Sequence, residues 1–151
     1  MKITILIDNL LDLELSDNEY IVQQCNATHN RSYGVSSALF KKYPKANIYN
    51  GKYKETNREV GDIIIRDKII NIIGQKHQGK SSADDTEKMR LNYFKNSLEK
   101  ISKIEGIKRV YIPYKIGCGL AGGNWDEYFK AIKEWGNEID FNITIIKLNE
   151  K

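Results

Sequence analysis

Cysteine, proline and histidine are all scarce in this chain of 151 residues, with two of each. Two separated cysteines, Cys25 and Cys118, make no disulfide framework. A reduced, cytosolic setting is the expectation that follows. Adding His29 and His77 gives no recognisable metal-ligand spacing, so neither a metal nor a cofactor is expected. Long apolar runs are missing too. The isoleucine-rich stretches at 63–65 and 69–73 are broken by Arg66, Asp67, Lys68 and Asn71, far short of the ~20 residues that cross a membrane. Met1-Lys2-Ile3-Thr4-Ile5 carries no small-residue cleavage site and reads as a strand that begins at once. No single charge sign dominates either. Twenty-four Lys and Arg face 20 Asp and Glu, for a net charge of +4. That mild excess suits an anionic ligand. The lysines are dispersed rather than gathered in a tract, which argues against nucleic acid as the main partner.

What is present is an alternation of strands and helices. The β-branched runs at 3–7 and 20–25 read as strands. Leu10 to Leu15 reads as a short helix or a strand. Val35, Ala38, Leu39 and Tyr43 fall at helical spacing, and Pro44 ends that helix. Residues 45–60 read as loops with a short strand at 46–49. The segment 62–73, turning at Arg66-Asp67, reads as a β-hairpin. Asp84-Asp85-Thr86 opens a helix striped by Leu91, Phe94, Leu98 and Ile101 and closed by Gly106. A strand at 110–113, a helix opened by Asn124 or Asp126 and a strand at 141–148 complete the series. The pattern predicts an α/β chain with a mixed sheet and helices on its faces. With no linker, repeat or low-complexity tract, the expectation is one domain over residues 1–151, monomeric and with no membrane partner.

The chemistry-bearing feature is Gly117-Cys118-Gly119-Leu120-Ala121-Gly122-Gly123, between a strand and a helix. Such a loop points several backbone N–H groups at one place, and a helix N-terminus adds partial positive charge. It matches neither the G-x-x-x-x-G-K-[ST] nor the G-x-G-x-x-G pattern. The loop from Asn26 to Ser36 also follows a strand and precedes a helix, so two such loops can clamp a diphosphate beyond the strand ends. Asn26 can offer an amide to sugar hydroxyls, and His29 can carry a proton near neutral pH. The third loop, Gly74 to Lys80, brings Gln75, Lys76 and His77. Cys118 sits where a helix N-terminus can lower a thiol pKa, though no partner base is visible. Trp125, Phe129, Ile132 and Trp135 read as core.

The stretch from Tyr20 to Asn26, the Gly34 to Pro44 helix, Ile73-Gly74-Gln75 and above all Ile112 to Trp125 together resemble the macro domains. The nearest branch resembles the single-domain bacterial, phage and viral proteins related to ADP-ribose 1″-phosphate phosphatases. The resemblance runs over nearly the whole chain and implies a three-layer α/β/α fold with a mixed, mostly parallel central sheet. It implies ADP-ribose, free or on an ADP-ribosylated substrate, as the partner. By position, Asp8, Asn9 and Leu10 would meet the adenine end, with Asn9 where the family usually has Asp. Asn26 would meet the distal ribose. Tyr33, Gly34, Val35 and Ser36 would form one phosphate loop, and Ile116, Gly117, Cys118, Gly119, Leu120, Ala121 and Gly122 the other. Gln75 would join the site.

Hydrolysis of a distal-ribose bond is the activity implied. The substrate would be ADP-ribose 1″-phosphate, an ADP-ribosyl ester or O-acetyl-ADP-ribose. Asn26 would orient the sugar, and a water would be activated by His29, by Asp84 or Asp85, or by the ligand's own phosphate. One catalytic branch places an Asp where this chain has Ala121, which removes that branch's lysine-adduct route and keeps a non-catalytic reader as the alternative. An RNA-binding module is the more distant one. The implied location is the cytoplasm, or a host's cytosol or nucleus for a viral chain.

Overall fold

The computed structural model describes residues 2–119 and 121–148. Six strands form one sheet: β1 (Ile3–Ile7), β2 (Glu19–Asn26), β3 (Ile63–Arg66), β4 (Ile69–Gln75), β5 (Arg109–Pro113) and β6 (Asn142–Lys147). Their order is β1-β6-β5-β2-β4-β3, with all neighbours parallel except the β3–β4 hairpin. All seven residues of β4 are buried, as a near-continuous apolar strand covered on both faces requires. Asn71 is tolerated there because its amide is satisfied. Its Nδ2 donates to the Ala46 and Ile64 carbonyls, and its Oδ1 accepts from Gln23 at 2.6 Å.

Three helices cover the sheet: α1 (Gly34–Lys42), α2 (Glu87–Ser102) and α3 (Trp125–Gly136). Helices α2 and α3 seal one face over a core that includes Phe94, Leu98, Ile101, Ile132 and Trp135. Helix α1 seals the other with Leu39 and Phe40, joined by Ile48 and Tyr49. The fold is therefore the expected three-layer α/β/α arrangement around a mixed, mostly parallel sheet.

Two local expectations are corrected, and one left open is settled. Residues 46–49 form no strand: a 3-10 turn at Pro44–Ala46 is followed by Asn47, whose Oδ1 accepts the N–H groups of Tyr49 and Asn50. That side chain offers the backbone a turn in place of a ladder. Gly106 does not cap α2, which ends at Ser102 with Lys103 as its cap; Gly106 (φ +81°) serves the later turn into β5. Of the short helix or strand expected after β1, the helical alternative is found, as a 3-10 turn at Leu10–Asp12 capped by Asn9, which accepts from the Leu11 N–H at 3.0 Å.

Candidate ligand-binding cleft

Five parallel strands end at one edge of the sheet, and two cavities open there. The larger, about 650 Å³, lies beyond β1, β5 and β6 and is lined by Asp8, Asn9, Leu10, Gly34, Val35, Tyr114, Lys115 and Leu148, among others. The smaller, about 140 Å³, lies beyond β2 and β4. Its lining includes Gln24, Asn26, Arg31, Tyr33, Ser36, Tyr49, Gln75 and Ala121. Among the described residues no carboxylate lines the smaller cavity. The start of α1 contributes to both.

That start is chemically bare. Thr86 caps α2 by accepting from Met89 N–H, and Asn124 caps α3 by accepting from Asp126 and Glu127 N–H. Tyr33, at the head of α1, makes no side-chain cap. Gly34 has φ +55° and is followed by helical residues. That left-handed to right-handed step turns successive N–H groups to one side as an anion-binding concavity. The N–H groups of Gly34, Val35 and Ser36 find no acceptor among the described residues.

The glycine loop works differently. Gly117 has φ +74°, and a Cβ there would lie 2.8 Å from the Tyr128 ring. A side chain at Gly119 would meet only open space. The turn closes on itself through Gly123 N–H to Gly117 O at 3.0 Å, leaving the N–H groups of Gly117, Gly119 and Ala121 without acceptors among the described residues. The helix dipole expected behind this loop is already committed, because α3 is capped by Asn124 and carries Asp126 and Glu127 in its first turn. Of the sequence-predicted loop residues, Ala121 lines the smaller cavity, whereas Ile116, Gly117, Cys118, Gly119 and Gly122 line neither. Leu120 lies outside the described residues. Burial pushes the Cys118 thiol up to about 11, so the nucleophile reading has no thiolate to act through.

Asn26, at the end of β2, is buried and almost wholly engaged. Its backbone N–H and its Nδ2 both donate to the Tyr49 hydroxyl, at 2.9 and 3.3 Å. Its Oδ1 accepts from His29 N–H at 2.8 Å, and its carbonyl accepts from Arg58 Nε at 3.1 Å. One Nδ2 proton is left over. His29 itself is exposed and lines neither cavity. Its Nδ1 meets the Thr28 hydroxyl at 3.2 Å, which also meets His77 Nδ1 at 3.1 Å. His77 Nε2 in turn reaches Asp84 at 3.0 Å. That hydrogen bond and the one from Lys76 hold the exposed Asp84 carboxyl well below the usual carboxylate range.

Asp85 is corrected as a candidate base. It is fully buried, accepts the N–H groups of Lys76 and His77, and pairs with Arg90 at 2.7 Å. Burial alone would raise its pKa. The Arg90 guanidinium and the two N–H groups outweigh that and hold the carboxyl below its ordinary value. Arg90 spans from there to the carbonyls of His77, Gly79, Lys80 and Ala121. The pair therefore ties the third loop to the glycine loop and activates nothing. The residues that sequence reasoning missed are Gln24, Arg31, Tyr49 and Arg58. They come from strand interiors and polar loops where no spacing marks them.

No protein-family model matches this chain, and no curated protein matches it. Solved structures do. A protein of unknown function from Bacteroides thetaiotaomicron gives a TM-score of 0.74 at 22% identity, covering 97% of this chain and 98% of that one. The macrodomain of Mycobacterium tuberculosis DarG gives 0.75 at 21% identity, over 95% of this chain and 96% of that one. A mutant Oceanobacillus iheyensis macrodomain with ADPR gives 0.66 at 15% identity, over 97% and 84%. The fold of this chain is the macrodomain fold.

Proposed function

We propose that this macrodomain fold binds ADP-ribose, with the adenosine in the larger cavity and the distal ribose in the smaller, and that it hydrolyses a bond at that ribose. The observation that carries this reading is the uncapped start of α1, with its three free N–H groups, placed between a large cavity and a small polar one. Free N–H groups at a helix start hold phosphate, and the N–H groups of Gly117, Gly119 and Ala121, without acceptors among the described residues, supply a second set, Ala121 at the smaller cavity. The likeness to a macrodomain carrying ADPR supports the same ligand.

Asn26 would orient the sugar by donating its one free Nδ2 proton to a ribose oxygen. With no carboxylate in the smaller cavity among the described residues and Asp85 committed to Arg90, the attacking water would be positioned and activated by the ligand's own phosphate or by a group it carries. Positioning alone lowers a barrier by several kcal/mol, on the order of 7 or more in the best-aligned cases. The absence of an acid at Ala121 favours a second reading, a reader that binds without turnover.

The test is calorimetry with ADP-ribose, followed by NMR of the products from ADP-ribose 1″-phosphate, an ADP-ribosyl ester and O-acetyl-ADP-ribose. Binding with release from at least one substrate is expected. Binding with no release from any leaves the reader, and no binding at all ends both readings. Gly119→Val enters open space without a strained φ. It should keep the melting temperature and weaken ADP-ribose binding by roughly tenfold or more, by obstructing the phosphate cradle.

A further inference from the structure

Asn26 does not hold its own orientation. The Tyr49 hydroxyl takes two hydrogen bonds from it, one from the backbone and one from the side chain. Tyr49 is fixed in turn: it is 3% exposed, its ring meets Phe40 edge-on at 5.8 Å, and the Arg58 guanidinium lies over it at 5.1 Å. Arg58 is 7% exposed and donates only to carbonyl oxygens, those of Asn26, His29, Ile48 and Glu55 and the side-chain oxygen of Asn30. Both residues come from the irregular segment after α1, far in sequence from the strand end that they brace. Tyr49 also lines the smaller cavity.

His29 N–H can only donate, so Asn26 must turn Oδ1 toward it. That places Nδ2 beside Tyr49, where one of its two protons is taken. The other proton is what the side chain can offer to a ligand. We propose that Tyr49 is a positioning residue, held by Arg58, that aims the free Nδ2 proton of Asn26 into the smaller cavity. This deepens the ligand reading above and rests on it for the identity of what is held there. Without the hydroxyl, Oδ1 still accepts from the His29 N–H, but Nδ2 loses its one partner and regains a second free proton, and the buried Asn26 N–H loses its acceptor, so the amide is held at one end only.

The experiment is a Tyr49→Phe and Asn26→Ala double-mutant cycle. Phenylalanine keeps the ring against Phe40 and Arg58, so the fold should survive. Expected is a loss of about tenfold in kcat on the best substrate of the panel with KM little changed, or the same loss in affinity if the protein is only a reader; the melting temperature should fall only by what the unpaired Asn26 N–H costs, in a protein that still folds. The double variant should lose no more than Asn26→Ala alone, the mark of residues that act as one unit. Independent, multiplying losses would overturn the proposal. A second measurement does not need any ligand. In ¹⁵N spectra of the free protein, the Asn26 side-chain amide should be one sharp, well-dispersed pair in the wild type. In Tyr49→Phe it should collapse toward the free-amide position. An unchanged amide pair overturns the positioning role, while a changed pair in a protein that binds no ADP-ribose derivative sinks only the ligand assignment.

Discussion

The two strand–loop–helix crossovers at the mouth of the cleft solve the same problem in opposite ways. After β5, the glycine loop closes on itself and the helix behind it is capped by Asn124, with two acids in its first turn. After β2, the loop is held from outside by Arg58 and Tyr49, and the helix behind it has no side-chain cap. A helix start left without a cap gives up on the order of 1 kcal/mol of stability. That sacrifice is intelligible where N–H groups are reserved for an anion. Under the proposed ligand reading, the difference gives the helix-dipole role to α1 and leaves the glycine loop to act through its own N–H groups.

The largest expected effect severs the tie between the glycine loop and its neighbour. Asp85→Asn leaves the Arg90 guanidinium buried without its counter-charge, and breaking such a pair costs roughly 3–5 kcal/mol. The Asp85 carboxyl is depressed in the folded state, so its stabilisation is complete above the unfolded carboxylate value of ~3.9 and fades as pH falls through the folded one. Urea denaturation should therefore show a wide gap between variant and wild type at neutral pH, narrowing in strong acid. A gap that does not depend on pH would mean that the pair is not what links the loops.

Next in size is Tyr33→Asp, which gives α1 the cap that it lacks. Stability should rise by about 1 kcal/mol as the new carboxylate accepts from the first turn. ADP-ribose affinity should fall roughly tenfold or more, because that carboxylate occupies the anion's donors and repels its charge. Rising stability with unchanged affinity would mean that α1 is not the phosphate site. The smallest effect is expected from Asn124→Ala. Removing the α3 cap should cost about 1 kcal/mol in thermal unfolding and leave ADP-ribose affinity as it was. If this change weakened binding more than Tyr33→Asp, the assignment of the two helix starts would be reversed.

Much of the fold was legible because it is written in local periodicity. The β3–β4 hairpin, the Leu91 to Ile101 stripe and the stop at Pro44 all follow from near neighbours in the chain. Asn26 and the loop to Ser36, which border the smaller cavity, were read from a strand end followed by a helix start, whereas Asp8, Asn9 and Leu10, which line the larger, were named only through the macro-domain resemblance. The strand reading at 46–49 went wrong because one Asn side chain outcompeted the ladder. Asp85 was misread because a carboxylate ahead of a helix looks the same in sequence whether it is open to a substrate or sealed against an arginine.

By itself, then, the sequence determined the alternation of strands and helices and the two glycine-bearing crossovers. Each depends on residues a few positions apart. Only the tertiary structure decided which helix start is bare, that Arg90 gathers four loop carbonyls, and that Tyr49 and Arg58 aim Asn26 from more than twenty residues away. Whether a polar group is free or already satisfied depends on partners brought close by folding, and no spacing along the chain records it.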